Sequence, residues 1–172
     1  MTADAIRTVL ARELRTLARE VDAYPSDAAL WQVVPGVTNS GGTLALHLAG
    51  NISHYIGAVL GRTGFVRDRP AEFALRDVPR AEVKARVQDA LASVEQVLSE
   101  LPPGSLEAPY PEVLAGRTLG TEQFLVHLVA HFGYHLGQID YHRRMLPAES
   151  GTVGALSLSE LPSLVGPADS AG

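Results

Sequence analysis

Apolar residues recur at the spacing of a single helix face in four long stretches of the chain. From Ala3 to Tyr24, Ile6, Val9, Leu10, Leu14, Leu17 and Val21 are interleaved with Arg and Glu, the pattern of an amphipathic helix. From Gly42 to Thr63, Leu44, Leu48, Ile52, Ile56 and Val59 share one side, and Gly61 and Gly64 end the run. Beside that face His47, Asn51 and His54 fall at i, i+4 and i+7, so the same helix carries a polar line. Pro79 suits a first helical turn, and Val83, Val87, Ala90, Val94, Val97 and Leu101 follow in alternating steps of 4 and 3. Pro102, Pro103 and Gly104 stop this third helix. The fourth stretch, Thr121 to Leu146, predicts a helix of roughly 37 Å at 1.5 Å per residue. Leu125, Leu128, Val129, Phe132, Leu136 and Ile139 form its aliphatic face. Phe124, His127, His131, His135, Gln138 and His142 form a narrow stripe beside it, so four of the six histidines lie on one line.

The connections are long. Between the first two helices lies a Pro-, Gly- and Ser-rich segment of about 18 residues, with the only tryptophan, Trp31, expected to pack it onto the helices. An Arg- and Asp-rich loop precedes Pro79, and a loop with Pro109, Pro111 and Gly116 leads to Thr118 or Thr121, either of which suits a cap for the histidine helix. Four long amphipathic helices without a strand pattern predict an all-α four-helix bundle, and connections of this length allow crossover topology. The bundle is expected over residues 1–147. The Ser-, Gly-, Ala- and Pro-rich tail, 148–172, reads either as disordered or as packing back through Leu156 to Val165.

Composition narrows the chemistry. With 172 residues and 46% hydrophobic content the chain fits one domain with a sizeable core. A net charge of −5, with 14 Lys and Arg scattered among acids, argues against nucleic acid and anionic membrane as partners. The N-terminal MTADAIRTVLARELRTL has no uninterrupted apolar run, which predicts neither a signal peptide nor a membrane span and a cytoplasmic location. The absence of cysteine excludes a thiolate nucleophile, a disulfide frame and a Cys-based zinc site. Any metal must then be held by His, Asp, Glu or neutral oxygens.

Two histidines at i and i+4 stand one above the other and reach a common ion, and one from a neighbouring helix completes a triangle. Three neutral imidazoles leave a coordination position open, the form of a catalytic rather than a structural zinc site. The fourth helix offers the pairs His127/His131 and His131/His135, and the second offers His47 and His54, so the residues alone leave several triads open. Such pairs also occur on surfaces and in hydrogen-bonded cores. His142, beside Arg143 and Arg144, reads as a solvent-facing group favouring the helix C-terminus. What stands out is two polar lines on two otherwise apolar helices. Each imidazole buried without partners would cost roughly 1–3 kcal/mol, so an occupied site or a wet groove is expected between them.

NSGGTLALHLAGNISHYIG, followed some 80 residues later by TLGTEQFLVHLVAHFGYHLGQID, resembles the DinB/YfiT-like metalloenzyme superfamily over about residues 1–147. That resemblance implies a DinB-type four-helix bundle and a metal triad with one His from the second helix and two from the last. Carried over by motif, the ligands are His47 in LHLAGN and His131 and His135 in AHFGYHLGQ. Many members have a further His directly before the final ligand; here that residue is Tyr134. Asn51 and Gln138, each a turn from a ligand, are expected to support the ligands, face substrate or bond between helices. Characterised relatives include S-transferases that use bacterial low-molecular-weight thiols, and relatives are often dimers, so a thiol partner and a homodimer are implied.

The leading functional expectation is a metal-dependent enzyme with an open three-histidine site, holding zinc or nickel and catalysing thiol transfer or hydrolysis. No Glu follows a ligand His as in H-E-x-x-H, and Glu122 lies well before the pair, leaving His54, His127 or Tyr55 as candidates for a base. The alternatives are a non-catalytic metal-binding or stress-response bundle, and an interaction module whose histidine stripe is coincidental.

Overall fold

The computed structural model describes residues 3–146 and 151–161. The described residues contain six α-helices: α1 (Ala3–Asp22), α2 (Asp27–Trp31), α3 (Gly41–Ile52), α4 (Arg69–Ala74), α5 (Arg80–Ser99) and α6 (Thr121–Met145). Helix α3 continues without a break as a wider π-helix, Ser53–Leu60, and a 3₁₀ turn spans Leu158–Glu160. Among the described residues there is no strand, only isolated bridges such as Pro109 with Gly120. None of the helices is long and apolar enough to cross a membrane.

The four long helices form the expected bundle. Helix α1 packs on α5 and α6, and α3 packs on the same two, so α1 and α3 face across one diagonal. The links from α1 to α3 and from α5 to α6 therefore cross the bundle, which is why both are long. Leu10, Leu14 and Leu17 of α1, Val83, Val87 and Val94 of α5, and Leu125, Phe132 and Ile139 of α6 meet in the core. At 25 cal/mol per Å², each fully buried Leu or Val stabilises by about 1.5–3 kcal/mol. One charge pair crosses this core. Arg143 Nε donates to Glu20 Oε2 at 2.6 Å with both side chains at 0% exposure. Burial raises the Glu20 carboxyl above its usual range despite the opposing bond from Arg143.

Three connections carry more structure than their composition suggests. The first contains α2, capped by Ser26, whose Oγ accepts from Ala29 N at 3.1 Å. Trp31 packs it down as expected: its ring is 6% exposed and Nε1 donates to Val78 O at 3.0 Å. The Arg- and Asp-rich loop contains α4, capped by Asp68 Oδ1 accepting from Ala71 N at 3.0 Å, with Pro70 in the first turn. At six residues α4 is too short to show a period. At the start of α6 neither Thr118 nor Thr121 is a side-chain cap. The N-cap is Gly120, and the backbone N–H groups of Thr121 and Glu122 donate to Ala108 O and Leu106 O, both at 3.0 Å. The preceding loop thus supplies the acceptors that a cap would have offered. Of the tail, residues 151–161 are tied to α1 through Arg19, which bonds Glu160 and Val153 O. The rest of the expected tail, including Leu156 to Val165 beyond residue 161, lies outside the described residues.

Candidate metal centre

Helices α3 and α6 run antiparallel. His47, early on α3, faces His131 and His135, while Tyr55, two turns later, packs edge-on against Phe124 near the start of α6 at 5.0 Å. Of the triads left open by spacing, the fold assembles one. One ligand nitrogen from each of His47, His131 and His135 lies within 4.8 Å of the others. His47 Nε2 and His131 Nε2 are 3.4 Å apart, and the His131 and His135 rings meet edge-on at 4.6 Å. Among the described residues no carboxylate belongs to the cluster.

The outward nitrogens show how each ring is held. His47 Nδ1 donates to Glu72 Oε2 at 3.0 Å, which fixes the tautomer and leaves the Nε2 lone pair pointing at the other rings. Glu72 is gripped in turn by Arg67, Nε to Oε1 at 2.7 Å and Nη2 to Oε2 at 2.9 Å, in the two-pronged geometry favoured by guanidinium and carboxylate. The three side chains are 7–9% exposed. Burial alone would raise the Glu72 carboxyl, but the hydrogen bonds from Arg67 and His47 outweigh it and hold the group below its usual range, ionised at neutral pH. His135 Nδ1 donates to Gln138 Oε1 at 2.7 Å, so its Nε2 is free as well. His131 Nδ1 is buried without a hydrogen-bond partner, as is Asn51 Oδ1, one turn beyond His47.

Burial first, and then the repulsion that a charged ring there would meet from the neighbouring imidazoles and the Arg67 guanidinium, lowers the His131 pKa to about 4. Burial likewise lowers His135, against an opposing bond from Gln138. Both rings are therefore neutral near pH 7 and carry free lone pairs, as metal ligands must. Three converging imidazoles, two of them steered from behind by hydrogen-bond acceptors, could hold a metal ion.

The remaining candidates separate from the triad. His54 Nε2, about two turns further along the helix than His47, pairs with Glu112 Oε2 at 3.0 Å. His127 is exposed, stacked on Phe124, with its ring 6.1 Å from that of His131. Tyr55 lies under the Arg67 guanidinium at 5.6 Å and beside Phe124. Tyr134, at the position of the extra family histidine, is 66% exposed and outside the cluster. His142 does not face solvent. It is 2% exposed, with Nδ1 2.8 Å from Tyr24 Oη and Nε2 2.9 Å from Gln32 O. The crossing segment around α2 covers that end of α6, which one helix's periodicity could not show.

Sequence reasoning missed Arg67, Glu72 and Phe73, whose ring lies 4.9 Å from that of His47. Asp68 before Pro70 is a helix-start signal that could have located α4. That α4 delivers its carboxylate to a histidine 25 residues earlier is a tertiary fact. Gly50 makes the approach possible, because a Cβ there would stand 2.2 Å from Glu72 Oε1.

Two cavities border this region. One, of about 520 Å³, lies between α3, α4 and α5 and touches Glu72. The other, of about 410 Å³, lies between α6 and residues 36–39 and touches His135.

No curated protein matches the chain significantly. A family model described as mycothiol-S-transferase matches residues 5–147, a span that includes all three histidines and both α4 residues that touch His47. The match covers the whole bundle, and on that ground the chain belongs to the mycothiol-S-transferase family, a member of the DinB/YfiT-like superfamily.

Proposed function

We propose that this chain is a divalent-metal-dependent thiol S-transferase, with His47, His131 and His135 as metal ligands and a low-molecular-weight thiol, the mycothiol of the family name, as the sulfur donor. The observation that carries the reading is the convergence of three imidazole nitrogens within 4.8 Å with no carboxylate among them. A zinc or nickel ion held by His47, His131 and His135 would supply a Lewis acid that lowers the pKa of a thiol.

The chain's own groups do the rest. Glu72 and Gln138 fix the tautomers and ring orientations of His47 and His135. Arg67 keeps Glu72 ionised and in place. Phe73 closes one flank of His47 and limits water there. Transfer is favoured over hydrolysis because Glu72, the carboxylate beside the triad, is fully engaged by Arg67 and His47 and is not free to serve as a base for water.

The test begins with metal content per chain by mass spectrometry on untagged protein, comparing wild type with His47→Ala and His131→Ala. About one zinc or nickel per wild-type chain is expected, lost in both variants, together with metal-dependent consumption of mycothiol by an electrophile. Turnover unchanged in His131→Ala, or no metal retained by wild type after reconstitution, would sink the reading.

A further inference from the structure

The 410 Å³ groove beside the triad differs from the rest of the surface in one chemical respect. It is walled by α6 and by residues 36–39, and among the described residues no Lys, Arg, Asp or Glu lines it, although the chain carries 14 basic and 19 acidic residues. Tyr134 and Tyr141, 66% and 65% exposed, stand along it with Val37 and Leu44. From His135 to Met145 the helix rise gives it a length of roughly 15 Å.

Strong nucleophiles are also scarce along it. The chain has no cysteine, and among the described residues no lysine borders the groove. Two imidazoles do, His135 and His142; three of their four nitrogens are bonded, and the fourth, His135 Nε2, belongs to the cluster with His47 and His131. His142 is bonded on both sides, to Tyr24 Oη and Gln32 O, and His135 Nδ1 donates to Gln138. The Met145 thioether sits at the far end, three turns from His135. A site meant to receive a reactive electrophile needs this property, because a free amine, thiol or imidazole would be alkylated in place of the intended sulfur.

Position points the same way. Of the triad the groove touches His135 but neither His47 nor His131. An occupant therefore lies beside the converging nitrogens and not over them, the place of the group that receives the sulfur.

We propose that the groove between α6 and residues 36–39 holds the electrophilic co-substrate, a neutral molecule with an aromatic or otherwise apolar body, with its reacting carbon at the His135 end. The proposal rests on the thiol-transferase reading. For an alkyl halide the thiolate sulfur supplies the electron pair of the new S–C bond, the C–X bond breaks with its pair leaving on the halide, and the thiol proton passes to solvent. No oxidant or reductant is needed. The tyrosine rings supply apolar and stacking area at little conformational cost.

The experiment uses the full zinc-loaded chain, mycothiol and 4-nitrobenzyl chloride, with 4-nitrotoluene as an unreactive analogue titrated by NMR. The variants are Tyr134→Ala/Tyr141→Ala and Val37→Asp, both altered at the protein surface or its rim and checked for folding by circular dichroism. The expected result is a rise of about tenfold in KM for the chloride, with KM for mycothiol unchanged, and a parallel loss of 4-nitrotoluene binding. If KM for mycothiol rises and that for the chloride does not, the groove is the thiol's place and the proposal is overturned while transferase activity stands. Equal 4-nitrotoluene binding in wild type and variants, or none in wild type, also overturns it. If wild type binds 4-nitrotoluene in the groove yet turns over no thiol with any metal, the ligand class stands and the transferase reading fails.

Discussion

Glu72 Oε2 accepts a hydrogen bond from His47 Nδ1 at 3.0 Å, joining a helix of six residues to the bundle helix that carries the first imidazole of the cluster. Such a carboxylate raises the basicity of the ring and fixes its tautomer, and losing one typically lowers metal affinity 10–100-fold. Glu72→Gln keeps the volume and removes the charge. It is expected to weaken zinc binding by about that factor, measured by competition with a chromogenic chelator. Glu72→Asp should recover part of the loss, because it restores charge without full reach. Affinity equal to wild type in Glu72→Gln would show that the bond does not support the metal.

Gly50 allows a second test in which the usual sign reverses. Replacing a helix-interior Gly by Ala ordinarily stabilises by about 0.5–1 kcal/mol. Here the added Cβ would fall 2.2 Å from Glu72 Oε1 and 2.9 Å from its Cδ. Gly50→Ala is expected to destabilise the chain by about 1–3 kcal/mol in urea unfolding and to weaken zinc binding, since the displaced carboxylate is the one on His47. A stabilised variant with unaltered zinc affinity would overturn the packing argument.

Acid should loosen the metal-free fold. His131 is lowered to about 4, first by burial, and His142 is lowered by burial against the opposing bond to Gln32 O. In the unfolded chain both titrate near 6.5. Between those values the unfolded state binds more protons, so stability is full above about pH 6.5 and falls as pH drops toward 4. Glu20, raised by burial, titrates in the opposite sense. His142→Gln isolates the histidine part: its melting temperature should fall less than that of wild type between pH 7.5 and pH 5. Parallel curves would mean that His142 does not resist protonation in the fold.

The site was only partly legible before folding. His47, His131 and His135 came from motif resemblance, since spacing alone also allowed triads built on His54 or His127. The fold separates them by a simple device: antiparallel packing sets His47 opposite the 131–135 turn and carries His54 off to Glu112. The periodicity of α6 cannot show the burial of His142, because the residues that bury it, Tyr24 and Gln32, come from a crossing connection more than 100 positions away. Arg67 and Glu72 were passed over because α4 is shorter than two full turns and has no apolar period to display.

By itself the sequence determined the all-helical class, the four long helices and the two lines of imidazole and amide side chains. Each of these follows from the 3.6-residue repeat and from stop signals within a few residues. Tertiary structure alone decided which rings converge, which nitrogens face one another, and that a buried Arg67–Glu72 pair holds the first of them. It also set beside the third a groove that no charged side chain lines among the described residues. Those outcomes depend on the register of α3 against α6 and on where two irregular connections come to rest, and both are fixed by packing among residues distant in the chain.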